Sequence, residues 1–332
     1  MKIDIFTHVM LPRYKEAFYR YSHKFPTERA VQDKRPVLWD NEMRLTKLEP
    51  YDDLVQVLSA TMPPVEEIVT DPKAAEELAR LCNDEIAELV AKYPRRYIAA
   101  IANVPLNNID IAVKEAERAI RELGFKGIQI HTRVNGNPPS TDEMMPLFAL
   151  MVKHDLPIWL HPMRSSSQPD WASENASYNQ LFSIFGWPYD TTAAMARLVF
   201  AGIFEKFPTI KIITHHLGGM VPYFSDRAIA HWNNGLQRIG ADHFPGLTKH
   251  PVEYLRMFYA DTALDGNSNF SMECGLAFFG EDHVLFGTDM PYDVENGGVS
   301  IRETIKGIEK MGLPEKTKQK IYEGNARRLL HL

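Results

Sequence analysis

Cysteine is nearly absent from this chain: only Cys82 and Cys274 occur in 332 residues. No Cys pair has metal-site spacing, and a disulfide scaffold is excluded for a chain this large; a reducing, cytoplasmic setting is expected. Strong charge is lacking too. The formal net charge is -6, and the basic runs Pro94-Arg95-Arg96 and Arg327-Arg328 are short enough to read as solvated surface. Electrostatics therefore predict neither a nucleic-acid nor a membrane partner. No apolar run is long enough to span a bilayer, and Met1-Lys2-Ile3-Asp4 leads into a strand-like segment without a signal-peptide core. Glycine is missing from one informative place, the segment Thr7-His8-Val9-Met10-Leu11-Pro12 after the first strand-like run. A doubly wound nucleotide-binding sheet usually needs a glycine-rich turn there. What is present is an ordinary globular composition, 45% hydrophobic and 24% charged, with no internal repeat or low-complexity segment.

The organising pattern is alternation. Short hydrophobic runs recur at 2–6, 54–60, 97–104, 126–131, 156–161, 210–215, 257–261 and 283–287. Amphipathic stretches lie between them. Residues 74–92 place Leu78, Leu81, Ile86, Leu89 and Val90 at helical spacing, and residues 109–123 do so with Ile111, Val113, Ala116, Ala119, Ile120 and Leu123. Glu117 and Arg121 add an i,i+4 pair on the polar face of the second. Eight strand–helix units predict an α/β fold of the closed (β/α)8 TIM-barrel class, forming a single domain over residues 1–332. Two connections, 9–53 and 162–190, are long, and long strand-to-helix loops at a barrel's C-terminal face build pockets.

The ends of these runs carry the chemistry. His8, His161, His215 or His216, and Asp289 terminate the first, fifth, sixth and eighth runs, and a closed barrel brings those ends to one mouth. One histidine at a strand end is more often a packed residue than a ligand. Four such residues, each on a different strand, read as a metal centre. Imidazole plus carboxylate suits zinc, and also manganese, cobalt or iron. His131, ending the fourth run, lies at or beside the mouth. His23, His154, His231, His243, His250, His283 and His331 read as surface or helix residues. One position is out of place. Phe6 is two residues before His8, on the same strand face, and cannot bind a metal.

Together Ile3-Asp4-Ile5-Phe6-Thr7-His8 with Pro12, Trp39-Asp40 with Arg44-Leu45, Leu160-His161-Pro162, Phe185-Gly186-Trp187-Pro188-Tyr189, His216-Leu217-Gly218-Gly219 with Pro222 and Arg227, and Gly287-Thr288-Asp289-Met290-Pro291 resemble the amidohydrolase superfamily. The branch resembled is that of aminocarboxymuconate semialdehyde decarboxylase, and the resemblance runs from residue 2 to about residue 328. It implies a distorted eight-stranded barrel holding one divalent metal ion, zinc in the first instance. His8, His161 and Asp289 match metal ligands, and the usual first-strand partner ligand is replaced by Phe6. His216 matches the catalytic histidine of the sixth strand, which leaves His215 pointing to the other side of the strand as a structural residue. His131 stands where dinuclear members carry a bridging lysine, so at most one metal is implied. Arg227 matches an arginine that binds a substrate carboxylate, often across a homodimer interface. A second such arginine is expected in the first long loop, where Arg29 and Arg35 lie.

The function implied is metal-dependent, non-oxidative decarboxylation of a small aromatic or unsaturated carboxylic acid. Asp289 and His216 are the catalytic residues. Arg227, His131, Trp187 and Phe6 are expected to face substrate, with Phe6 as an apolar wall beside the metal. The alternative on the same scaffold is a metal-dependent hydrolase of an ester, lactone, thioester or β-dicarbonyl bond. A third reading is a barrel that has lost catalysis and only binds a ligand; Phe6 is its main support.

Overall fold

In the computed structural model, residues 1–240, 246–264, 266 and 269–332 are described. Nine parallel strand segments are β1 (Lys2–Val9), β2 (Leu54–Ala60), β3 (Tyr97–Ala100), β4 (Ala102–Asn103), β5 (Ile128–His131), β6 (Ile158–His161), β7 (Ile212–Thr214), β8 (Tyr259–Asp261) and β9 (Val284–Leu285). The run at 97–104 is divided into β3 and β4, so nine segments make the eight staves expected. Each stave pairs with the next in chain order, β1-β2-β3 and then β4 through β9. The ring closes where β1 meets the stave of β9: Ile5 N donates to Phe286 O at 3.0 Å, His8 N to Met290 O at 2.8 Å and Asp289 N to Phe6 O at 3.1 Å. The distorted barrel of the sequence reading is therefore the architecture found.

The interior is filled rather than open. Ile3, Ile5, Phe6, Val57, Ile101, Trp159, Ile213 and Leu285 form the inner cluster, and Ala326, Leu329 and Leu330 of the C-terminal helix Asn325–Leu330 join it. Trp159 spans this core and donates its Nε1–H to Ile5 O at 3.1 Å. Along β1 the pairing with β2 slips between Asp4 and Thr7: Asp4 faces Gln56, yet Thr7 faces Leu58. Three steps on β1 thus match two on β2, a bulge with one extra residue. Strand alternation would put Ile5 and Phe6 on opposite faces. The bulge lets Ile3, Ile5 and Phe6 all join the inner cluster.

A larger cluster lies between the staves and the outer helices. The helix Pro72–Lys92 starts with Asp71 accepting from Ala74 N at 2.8 Å and buries Leu78, Ala79, Cys82, Ile86 and Leu89. The helix Ile109–Arg121 is capped by Asn108, but its buried face is Ala112, Glu115, Ala116 and Ala119. Its larger apolar residues Ile111, Val113 and Ile120 are only half-buried flanks, because the alanines take the closest approach. Glu117 and Arg121 pair at 3.6 Å. The connection after β1 is not irregular. It folds into the short helices Pro12–Tyr19, Pro26–Asp33 and Asn41–Leu48, the last capped by Asp40. The connection after β6 becomes helical at Phe182, in a π-helical turn Phe182–Gly186 that runs into the helix Trp187–Phe200. Among the described residues no helix is long and apolar enough to cross a membrane. Cys82 and Cys274 are both free.

Glu66, on the short helix Val65–Ile68, is buried, and burial pushes its carboxyl up to about 8. The folded protein therefore binds a proton at Glu66 that the unfolded chain releases near pH 4.5. This contribution to stability is full below that pH and is lost as pH rises through 8. Glu66→Gln is expected to flatten the profile between pH 5 and pH 9 in thermal unfolding. Relative to the unmodified chain, its gain should be greatest at the alkaline end.

Candidate metal centre and active site

Four strand ends deliver polar groups to the C-terminal mouth. His8 comes from the end of β1, and its Nδ1 lies 3.2 Å from Ala60 O and 3.0 Å from Ser59 Oγ. His161 ends β6, with Nδ1 2.7 Å from Pro162 O. His215 follows β7, and its Nδ1 lies 2.5 Å from Asp261 Oδ2 at the end of β8. In each ring Nδ1 is committed to an oxygen, which leaves Nε2 to face inward. His8 Nε2 and His215 Nε2 stand 3.0 Å and 3.4 Å from one oxygen, Asp289 Oδ1. Neither nitrogen nor that oxygen has a hydrogen-bond partner. His8, His161 and His215 each offer a donor atom within 4.8 Å of the others. Buried donors aimed at one point without partners fit a divalent cation, and nitrogen plus carboxylate suits zinc or manganese.

The electrostatics agree. Burial pushes Asp289 up, but the imidazoles of His215, His216 and His8 outweigh it and hold the carboxyl well below its usual range. Burial likewise opposes a charge on His215, but Asp261 and Asp289 outweigh it and raise the ring to about 10. At His161 the Asp289 carboxylate acts in the same raising sense but is outweighed. Burial, helped by its imidazole neighbours, holds it well below its usual value.

His216 occupies unusual backbone. His216 and Leu217 have φ of 52° and 50°, followed by Gly218 at 72° and Gly219 at 62°. Four left-handed residues in succession are costly and turn the chain sharply after His215. His216 N donates to Asp261 Oδ1 at 3.1 Å, its Nε2 lies 3.8 Å from Asp289 Oδ2, and its ring stacks toward Trp187 at 6.4 Å. Asp289 is itself left-handed, with φ of 60°.

The site opens into a cavity of about 570 Å³, a size suited to a small organic ligand. His161, His216 and Asp289 lie at its polar end, while Phe182, Ile184 and Trp187 give it an apolar wall. Arg35, Arg164 and Tyr292 also line it. Arg164 is held by Asp170 at 2.9 Å. Among the described residues Arg35 donates only to the backbone, to Val31 O at 2.8 Å and Tyr292 O at 3.4 Å.

The structure brings His8, His161, His216 and Asp289 together as the sequence suggested. It corrects the placement of His215, whose ring faces the site and is wholly buried there. Alternation from Ile213 of the inner cluster turns His215 inward, and the left-handed backbone at His216 brings the second ring round to the site as well. Phe6, His131 and Arg227 do not line the cavity, whereas Trp187 does. Phe6 lies buried with its ring stacked on His215 at 4.0 Å. His131 is buried behind His161, with ring centres 5.5 Å apart, and burial lowers its pKa to about 3. Arg227 is exposed on the helix Ser225–Ile239. Of the two loop arginines, Arg35 reaches the cavity, and Arg29 lies over the Tyr19 ring instead. His23, His154, His231, His250, His283 and His331 are exposed or half-buried and take no part, and His243 lies outside the described residues. Sequence reasoning missed Asp261, Arg164 and Tyr292. Only Asp261 carried a signal, as an acidic residue ending a strand run.

A closed parallel barrel with a nitrogen–oxygen cradle at its C-terminal mouth, able to hold a metal ion, defines the class of site. The chain belongs to the amidohydrolase family, which it matches over residues 3–332. It is 28% identical to 2-amino-3-carboxymuconate-6-semialdehyde decarboxylase of Dictyostelium discoideum, covering 100% of this chain and 92% of that protein. It is 29% identical to gamma-resorcylate decarboxylase of a Polaromonas species, covering 88% of this chain and 87% of that one. Among solved structures, 5-carboxyvanillate decarboxylase of Novosphingobium aromaticivorans, in complex with manganese and 4-hydroxy-3-methoxy-5-nitrobenzoic acid, aligns with a TM-score of 0.83 at 25% identity over 100% of this chain and 96% of that one. A 2,6-dihydroxybenzoate decarboxylase bound to 2,6-dihydroxybenzoate aligns with a TM-score of 0.81 at 26% identity over 100% and 99%.

Gly219 holds the turn against the apolar wall. A Cβ there would meet Pro188 O at 2.3 Å, on a backbone with φ of 62°. Gly219→Ala is expected to cost about 2–4 kcal/mol, measured by denaturant unfolding.

Proposed function

We propose that this protein is a metal-dependent, non-oxidative decarboxylase of a small aromatic carboxylic acid. One observation carries the reading: unpartnered imidazole nitrogens and an ionised Asp289 meet at the polar end of an aromatic-walled cavity. The decarboxylases among its relatives support it, and their substrates are hydroxylated benzoates in two of those compared.

His8, His161 and Asp289 would hold the ion. The donor set accepts zinc, and the manganese of a structural relative makes that ion an equal candidate. When bound, the ion holds substrate oxygens and draws off negative charge as the C–C bond breaks. The chain's own residues do the rest. Trp187 and Phe182 pack the faces of an aromatic ring and exclude water. Arg35, which has no carboxylate partner among the described residues, is placed to pair with the substrate carboxylate. His216 Nε2 delivers the proton that replaces carbon dioxide at the ring carbon. One carboxylate and one proton are consumed, and one carbon dioxide and one C–H bond are formed.

A homodimer belongs to the same proposal. The helix Ser225–Ile239 has no buried residue, and Phe224 just before it and Ile239 at its end are exposed. Tyr223 and Phe185 are also exposed apolar surface. A second copy seated there would cover them and surround Arg227, which makes no ion pair among the described residues.

Two tests follow from this reading. Incubation with a panel of hydroxybenzoates and matching esters should release one carbon dioxide per acid without oxygen uptake. Esters cleaved by water with no carbon dioxide would overturn the proposal in favour of a hydrolase. His161→Ala and Asp289→Asn should lower metal content, measured by elemental analysis. His216→Ala should keep the metal and lose about 10²–10⁴-fold in turnover.

A further inference from the structure

Phe6 occupies a place from which a side chain could reach the ion, and it has no donor atom. Its ring is not idle. It lies flat against His215, with ring centres 4.0 Å apart and planes 18° apart. His215 in turn stacks toward His161 at 5.3 Å. The histidine that fills the space beside the ion thus comes from the opposite side of the Phe6 ring.

His215 has what a ligand needs. It is wholly buried, so its ring is not solvated. Its Nδ1 is held by Asp261 Oδ2 at 2.5 Å, which fixes the ring with Nε2 directed inward. Asp261 is itself fixed, because its Oδ1 accepts from His216 N at 3.1 Å and Ala263 N at 3.0 Å. His215 Nε2 has no hydrogen-bond partner and lies 3.4 Å from Asp289 Oδ1. It converges with the donor atoms of His8 and His161. A carboxylate–imidazole pair aimed at a shared carboxylate oxygen is the arrangement by which proteins orient a metal-binding histidine.

We propose that His215 is a protein ligand of the ion, supplied from the seventh strand segment in place of the one missing at Phe6, and that Asp261 positions it. The proposal rests on the metal-centre reading above and adds a residue to it. The centre is then three imidazoles and one carboxylate, with Phe6 as the platform that orients the third imidazole. His216 stays free to handle protons, because its neighbour carries the coordination.

The test reads coordination rather than turnover. Protein is purified, stripped and titrated with zinc or manganese against a competing chelator. His215→Ala is expected to weaken binding by about tenfold or more, and Asp261→Asn by about tenfold. Phe6→Glu added to His215→Ala should restore most of the loss, since it puts an oxygen donor back on β1. His215→Cys loaded with cobalt(II) should show a near-ultraviolet thiolate-to-metal absorption, which a structural residue would not produce. If His215→Ala binds as tightly as the unmodified protein, the proposal falls. It falls equally if folded, cobalt-loaded His215→Cys lacks that absorption. Failure of the broader reading looks different: the unmodified protein would hold no ion, or His161→Ala would not change its content.

Discussion

Everything at the mouth of this barrel depends on one buried carboxylate kept charged. An isolated charge at the Asp289 position would be expelled or neutralised, because burial penalises it by several kcal/mol. It persists because three imidazoles from two staves surround it. The same residue closes the ring, since its backbone N–H bonds Phe6 O across the last seam. Barrel closure and site assembly are therefore one event. Strand pairing delivers Asp289 to the imidazoles, and the imidazoles make its burial tolerable.

How far the sequence could be read follows from where each signal is stored. The staves were legible because short hydrophobic runs alternate with helical spacing, and all eight runs contain observed strands. His8, His161 and Asp289 were legible because a closed barrel sends every strand end to the same mouth. That both His215 and His216 face the site was not. Alternation turns only one of two adjacent residues inward, and the left-handed turn at His216 that brings in the second is not a strand pattern. The bulge at Ile5–Phe6 was hidden for a related reason: it is a property of the pairing between β1 and β2, and neither strand alone records it. Arg164 and Tyr292 reach the cavity through tertiary packing of long connections, which carries no local pattern. The two long connections were visible as lengths, but the helices within the first were not.

The relatives show why the site and the scaffold must be argued separately. Proteins at 25–29% identity share the barrel, and their names point to different carboxylic acids. A fold of this kind accepts new chemistry through its loops. In this chain the polar end of the cavity comes from strand ends and the apolar wall from the connection after β6. The first part gathers the donor groups, and the second shapes the space beside them.

The C-terminal helix seated in the inner core also constrains how the chain is made. Thr288 binds the Asp4 carboxylate, joining residues 284 positions apart, and Leu329 and Leu330 pack with Ile3 and Ile5 in one cluster. The first strand therefore has β2 as an early neighbour but cannot find its second until residues 284–290 have been synthesised. Contacts this distant in sequence slow folding and leave early segments waiting with apolar surface exposed. Until residues 284–290 emerge, one side of β1 is an unpaired edge, and the closed barrel is the first species in which both its sides are protected.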